Sequence, residues 1–179
     1  MPLQIRPATQ ADAAPLAVLG RVTFAETFGY LFTRHRDDLR TYLDTTFAVG
    51  KIRRSLASPR NRYWLAVVDQ LAVGYAKLKY PSPPPGDPAR PAAQLQKIYI
   101  LQDFLAQHIG RDLLHRVAQE AARHAPTLWL DVLQENTRAI AFYQRQGFRP
   151  IGTDTYTIGA QAFQFHLMAQ SPLVAKPTP

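Results

Sequence analysis

A tyrosine, an asparagine, one isolated carboxylate and a glycine–arginine pair are the residues of this 179-residue chain whose type and placement could do chemistry. Gly110-Arg111 stands where a helix opens straight after the strand QLQKIYIL (94 to 101), with QDFLAQHIG leading into it and the helix running to about His124. Such a start offers unpaired backbone N–H groups and the positive end of a helix dipole, which is a natural seat for a phosphate. In LWLDVLQENTRAIAFYQRQGF, Asn136 ends a strand and Tyr143 lies two turns into the helix that follows. Glu26 is the single carboxylate of the aromatic-rich TFAETFGYLF. The histidines (His35, His108, His115, His124 and His166) lack tight ligand spacing and have no cysteine beside them, so no metal site is expected.

The elements that position these residues follow from periodicity. LQIRPA (3 to 8) reads as a short strand, and Thr9 with Asp12 three residues later approaches a capping box at the start of a helix carrying Leu16, Leu19 and Val22. TFAETFGYLF is expected to connect that helix to a second one from about Arg36 to Phe47, where Leu39, Leu43 and Phe47 recur at helical spacing. A third helix is expected around Lys51 to Ser58. YWLAVVDQLAVGYAKLKY reads as a hairpin, 63 to 68 and 71 to 80, turning at Asp69-Gln70. PSPPPGDPARP (81 to 91), with six prolines in eleven residues, reads as a stiff extended loop.

In the second half, Ile109, Leu113, Leu114, Val117 and Ala121 form one apolar helix stripe, LWLDVL (128 to 133) is a strand, and Asn136 to Gln146 is a helix. Gly147 stands where a helix C-terminus calls for positive φ. RPIGT (149 to 153) and AFQFHLMA (162 to 169) complete the strands. Trp64 and Trp129 are expected in the core, and His115 and His124 are expected to face solvent. One domain over residues 1–170 and a flexible tail over 171–179 account for the chain.

Composition narrows the class. The chain is 46% hydrophobic, enough for a core without staples, and its lack of cysteine excludes disulfides, iron–sulfur clusters and a thiol nucleophile. MPLQIRPATQADAAP has no basic region followed by an apolar one, so no secretory leader is expected, and no apolar run is long enough to span a membrane. A cytoplasmic location is the expectation. Lys and Arg total 21 against 13 acids, a net charge of +8 that favours an anionic partner. The basic residues are scattered, with no stripe of interleaved aromatics, so no nucleic-acid partner is expected.

The stretch from Asn136 resembles the hallmark of the GNAT acetyltransferase family, a strand followed by N-x-x-A-x-x-F-Y-x-x-x-G-F. Asn136, Ala139, Phe142, Tyr143, Gly147 and Phe148 match it. The resemblance runs from about Ile5 to Met168. With TFAETFGYL and KIYIL, it looks most like the bacterial subgroup that includes polyamine-acetylating PaiA-type enzymes. It implies an α/β fold with a central mixed, mostly antiparallel, twisted sheet of six to seven strands. Helices flank that sheet, which is split between its two central parallel strands, KIYIL and LWLDVL.

The resemblance also implies an N-acetyltransferase. Acetyl-CoA would be the co-substrate and the primary amine of a small molecule the acceptor, with direct attack in a ternary complex, no metal, and a homodimer allowed. Pantetheine would pair with backbone near Tyr99 and Ile100, and the phosphates would sit on Leu105, Ala106, Gln107, His108, Ile109, Gly110 and Arg111. Asn136, Ala139 and Phe142 are counted among the cofactor-binding residues, and Tyr143 would protonate the departing thiolate. The family's loop pattern, Gln/Arg-x-x-Gly-x-Gly/Ala, is altered here. Leu105 replaces the polar first residue and His108 the first glycine. A catalytically degenerate GNAT-fold binding protein is therefore the alternative. For the base, Glu26, Asp131 and a water chain are open, with Asp131 more simply a surface acid.

Overall fold

The computed structural model describes residues 2–171, so the expected tail lies outside the described residues apart from Ser171. Seven strands form one open sheet in the order β1-β2-β3-β4-β5-β7-β6. They are β1 (Leu3–Pro7), β2 (Asn61–Val68), β3 (Leu71–Lys79), β4 (Ala92–Ile100), β5 (Thr127–Leu133), β6 (Arg149–Ile158) and β7 (Gln161–Gln170). The helices are α1 (Ala13–Phe28), α2 (Arg36–Thr46), α3 (Val49–Ala57), α4 (Ile109–Ala121) and α5 (Thr137–Arg145). Pairing is antiparallel for β1/β2, β5/β7 and β6/β7, and parallel for β4/β5. This is the mixed, mostly antiparallel sheet flanked by helices that the sequence implies. None of the described helices is long and apolar enough to cross a membrane.

The chain divides into two compact units. One is drawn from residues up to Lys77 with Lys97–Arg116, the other from Leu78–Gln96 with residues from Val117 on. In the first unit the start of α1 is fixed by charge. Arg6 donates from both terminal nitrogens to Asp12, at 2.9 and 2.7 Å. Asp12 in turn accepts from the Thr9 backbone N–H at 2.7 Å, closing a capping box around the 3₁₀ turn Gln10–Asp12. Ala13, Leu16, Ala17 and Leu19 of α1 then bury against Ile52, Tyr63, Leu65 and Tyr75. The β2–β3 turn holds Asp69 and Gln70 at φ of 47° and 66°, the paired left-handed residues that a two-residue hairpin turn requires.

In the second unit, Leu128, Trp129, Leu130 and Val132 of β5 are buried, and Leu128 to Leu133 run in register against β7. Trp129 donates from its indole to the Ser82 carbonyl at 2.7 Å, tying the proline-rich loop to the core. Asn136 caps α5 by accepting from Ala139 N–H at 3.1 Å, and Gly147 ends it at φ 89°, as the sequence anticipates.

Two expectations are corrected. TFAETF is not a connection: α1 continues through it to Phe28, because nothing breaks the helix before Gly29 and the Phe24 ring packs at a tilt against Phe28 one turn on, with centroids 4.9 Å apart. Strand β6 runs to Ile158 rather than to residue 153, paired with β7 as far as Ile158↔Gln161. Its polar threonines show no apolar alternation because every residue of β6 except Ile158 is exposed.

The Arg6–Asp12 pair generates a prediction. Arg6 holds the Asp12 carboxyl at about 2, below its ordinary 3.8, so the pair's contribution is complete above pH 4 and disappears as pH falls through 2. Asp12→Asn is expected to cost about 1–2 kcal/mol at pH 7. Urea unfolding curves for the two proteins should converge between pH 4 and pH 2, and a gap independent of pH would refute this origin.

Candidate active site

The candidate residues fall in both units, and each set is built by its own elements. In the first, β3 and β4 approach closely where Gly74 faces the Tyr99 carbonyl. A Cβ on Gly74 would lie 2.8 Å from that oxygen and 3.0 Å from the Ile100 side chain, so any larger residue would displace the two positions expected to meet pantetheine. Leu101 N–H bonds to the Val73 carbonyl at 2.9 Å, and a 3₁₀ turn over Gln102–Phe104 follows. Glu26, exposed on α1, accepts from the Gln102 N–H at 3.3 Å, so the carboxylate of the aromatic segment lies at the exit of β4.

The loop into α4 has an informative backbone. His108 sits at φ 59°, the left-handed conformation that favours glycine. The chain therefore keeps the shape of a glycine position while carrying an imidazole there. The His108 carbonyl accepts from Arg111 and Asp112 N–H at 3.0 and 3.2 Å, and Gln107 N–H is bonded to the Phe104 carbonyl at 3.3 Å. Gln107 and Arg111 amides are thus engaged within the chain. Ile109 and Gly110 occupy the first two positions of α4, whose N–H groups helix geometry leaves without an internal acceptor. Ile109 is fully buried and anchors the helix start, whereas Leu105, Ala106, Gln107 and His108 are exposed. The Arg111 guanidinium pairs with Asp112 at 3.2 Å.

In the second unit Tyr143 is 7% exposed, edge-on to Phe142 and Phe148 at 5.2 and 5.7 Å. Burial pushes its phenol well above the ordinary 10.0, and the negative charge of Asp131 acts in the same direction. The hydroxyl therefore stays protonated across the neutral range. Asn136 serves as the α5 cap described above, and Ala139 supplies the N–H it accepts from.

Asp131 is exposed, as the sequence reading favours, but it accepts from Gln94 Nε2 at 2.9 Å, and the Ser82 hydroxyl donates to Gln94 Oε1 at 3.3 Å. Sequence reasoning missed this chain of contacts. Gln94 reads there only as the first residue of the strand QLQKIYIL, and nothing in the residue types pairs a loop serine with it.

His115 and His124 are exposed, but His124 does more than face solvent. It stacks on Tyr80 with ring centroids 3.8 Å apart and meets Glu120 at 3.1 Å. No group of three or more His, Asp or Glu side chains that could hold a metal occurs among the described residues. Trp64 and Trp129 are core residues, 9% and 4% exposed.

Comparison with known proteins defines the class. Residues 25–148 match the model of the acetyltransferase (GNAT) family, and the chain belongs to that family. An uncharacterised N-acetyltransferase of Mycobacterium tuberculosis is 30% identical over 135 residues, covering 75% of this chain and 82% of that protein. Another, from Lactobacillus delbrueckii subsp. lactis, is 25% identical over 153 residues, covering 84% and 87%. Among solved structures, the PaiA N-acetyltransferase of Thermoplasma acidophilum in complex with coenzyme A superposes with a TM-score of 0.77. It is 19% identical, over 96% of this chain and 99% of that one. Arabidopsis thaliana NAA60 in complex with acetyl-CoA gives a TM-score of 0.69 at 16% identity, over 95% and 98%.

The left-handed His108 generates the second prediction. A non-glycine residue pays about 1–2 kcal/mol to sit there, and glycine recovers that less its own entropic penalty. His108→Gly is therefore expected to raise stability by roughly 0.5–1 kcal/mol. Chemical denaturation at pH 7 checks it, and a loss of stability would show that the imidazole makes a compensating contact.

Proposed function

We propose that the protein moves an acetyl group from acetyl-CoA to the primary amine of a small molecule, as an acyl-CoA-dependent N-acyltransferase acting by direct attack in a ternary complex. The observation that carries this reading is the loop before α4. Although His108 stands in place of a glycine, its backbone keeps the left-handed turn, and the helix behind it opens with two amides pointed out of the helix. That shape supports a phosphate at the loop, and the catalytically degenerate binding protein, which would keep the same ligand, is separated from the transferase by turnover. The likeness to structures named for their complexes with coenzyme A and acetyl-CoA supports the same cofactor.

In this reading the Ile109 and Gly110 amides receive the pyrophosphate, with Leu105, Ala106, Gln107, His108 and Arg111 forming the loop around it. Backbone at Tyr99 and Ile100 pairs with pantetheine, held in place by the close approach at Gly74. The acceptor amine attacks the thioester carbon, and the negative charge gathers on the former carbonyl oxygen. The C–S bond then breaks, the sulfur leaves with its electron pair, and Tyr143 delivers a proton to it. The amine's own proton passes to Glu26, to Asp131 or to water. Because burial keeps Tyr143 protonated, its loss of the proton should not limit turnover until well above pH 10.0.

Tyr143→Phe is expected to lower kcat by about 10²–10⁴-fold with the acetyl-CoA Kd nearly unchanged, because the hydroxyl acts only late in the reaction. CoA release and calorimetric titration measure the two quantities, and turnover like that of the parent protein would remove Tyr143 from the mechanism. Gly110→Val is expected to weaken acetyl-CoA binding by roughly tenfold, about 1.4 kcal/mol, by placing a branched side chain where a phosphate oxygen must approach. An unchanged Kd in that titration would move the phosphate elsewhere.

A further inference from the structure

The loop from β4 into α4 is hydrogen-bonded mostly to itself. Leu101 N–H closes the sheet on the Val73 carbonyl, and from there the bonds turn local. Phe104 N–H bonds to the Leu101 carbonyl, Leu105 N–H to that of Gln102 and Gln107 N–H to that of Phe104, at 2.9, 3.2 and 3.3 Å. Among the described residues, one hydrogen bond ties residues 102–107 to a distant part of the chain. It runs from Gln102 N–H to the Glu26 carboxylate of α1, 76 positions away, at 3.3 Å.

Glu26 supplies what the loop's own sequence lacks. A helical turn leaves its first amides without internal acceptors, and an oxygen-bearing side chain just before the turn ordinarily takes one of them. The residue in that place is Leu101, which has no side-chain acceptor. The Glu26 carboxylate takes the Gln102 amide instead. Stability of α1 does not account for an acid here, because Glu26 lies in the last turn, at the negative end of the helix dipole. Aromatic packing holds that end of α1 against the sheet. The Phe24 ring centre lies 6.1 Å from that of Phe47, and Phe47 meets Tyr99 of β4 edge-on at 6.1 Å.

This arrangement suits positioning better than proton transfer. A carboxylate oxygen is committed to a backbone amide, and that amide opens the loop that surrounds the pyrophosphate in the reading above. A loop already held in its bound shape loses less freedom when the ligand arrives. We infer that Glu26 is a positioning residue, which clasps the cofactor loop to α1 and leaves the amine's proton to Asp131 or to water. The inference rests on the transferase reading and assigns Glu26 its place within it.

Two substitutions separate the roles. Gln keeps an oxygen that can accept from Gln102 N–H but cannot take up a proton, whereas Ala keeps neither property. Position 26 is exposed and Ala is a strong helix former, so both variants should fold as the parent does. Glu26→Ala is expected to weaken acetyl-CoA binding by about three- to tenfold in calorimetric titration, and Glu26→Gln to stay within about twofold of the parent. Amide exchange followed by NMR should show Gln102 exchanging faster in Glu26→Ala than in the parent or in Glu26→Gln. An acetyl-CoA Kd unmoved by Glu26→Ala, or weakened alike by both substitutions, overturns the inference. A kcat that falls by on the order of 10²-fold or more in both variants overturns it as well, since that is the signature of a lost base.

Failure of the transferase reading looks different. If the parent binds acetyl-CoA and acetylates no amine, Kd and exchange together judge the clasp. If the parent binds no acetyl-CoA, the cofactor reading falls and exchange alone judges it. Faster exchange at Gln102 in Glu26→Ala alone then supports the clasp, and equal exchange in all three proteins overturns it.

Discussion

Three residue pairs, Ala92↔Thr127, Ala93↔Leu128 and Gln94↔Trp129, make up the parallel ladder between β4 and β5, and the mixed character of the sheet rests on them. Six pairs join β5 to β7. A parallel ladder is slightly weaker per residue than an antiparallel one, so a join this short needs help from side chains. It receives that help from three places. Ala92, Ala93, Leu128 and Trp129 are buried at the join. The Trp129 indole holds the Ser82 carbonyl at the end of the chain leading into β4, and Gln94 is bonded on one side by Ser82 and on the other by Asp131. A slip by one residue would reverse the faces of all of them and leave the indole N–H buried without an acceptor. Register here is specified by polar contacts as much as by packing.

Beyond Gln94 the two strands continue past their shared ladder, β4 to Ile100 and β5 to Leu133. The stretch of β4 that continues carries Lys97, Tyr99 and Ile100, and its course is set on the β3 side by the absence of a side chain at Gly74. One strand thus serves two purposes. Its first half is fastened by buried contacts, and its second half is steered by a close backbone approach to β3.

The elements legible in the sequence were those whose apolar pattern matches burial. The α4 stripe Ile109, Leu113, Leu114, Val117 and Ala121 is buried throughout, and Asn136 and Gly147 bound α5 where their chemistry says they should. The errors fall where pattern and burial part company. The exposed second half of β6 has no apolar alternation to read, and the aromatic end of α1 looks like a connection because Phe24 and Phe28 face other aromatics rather than a spaced apolar stripe. Among the candidate residues, the motif from Asn136 marks Tyr143, and the separate loop pattern marks Leu105 and His108. Only coordinates could reveal that His108 adopts a glycine's φ, or that Lys97 lies across Phe47 and Tyr99, since both depend on conformation rather than on residue type.

Strand β6 has a consequence for anyone who handles this protein. It lies at the end of the sheet with one ladder neighbour, and nine of its ten residues face solvent, so its outer row of backbone groups would be an invitation to unwanted strand pairing. The chain blunts that edge with Arg149 and Pro150 at its start, a register shift between Pro150 and Gly152, and the charge of Asp154. Those devices make the hairpin tip beyond Ile158 a suitable place to attach a fluorophore or an epitope. A label there replaces little buried surface, and its bulk would further discourage the edge from recruiting another strand.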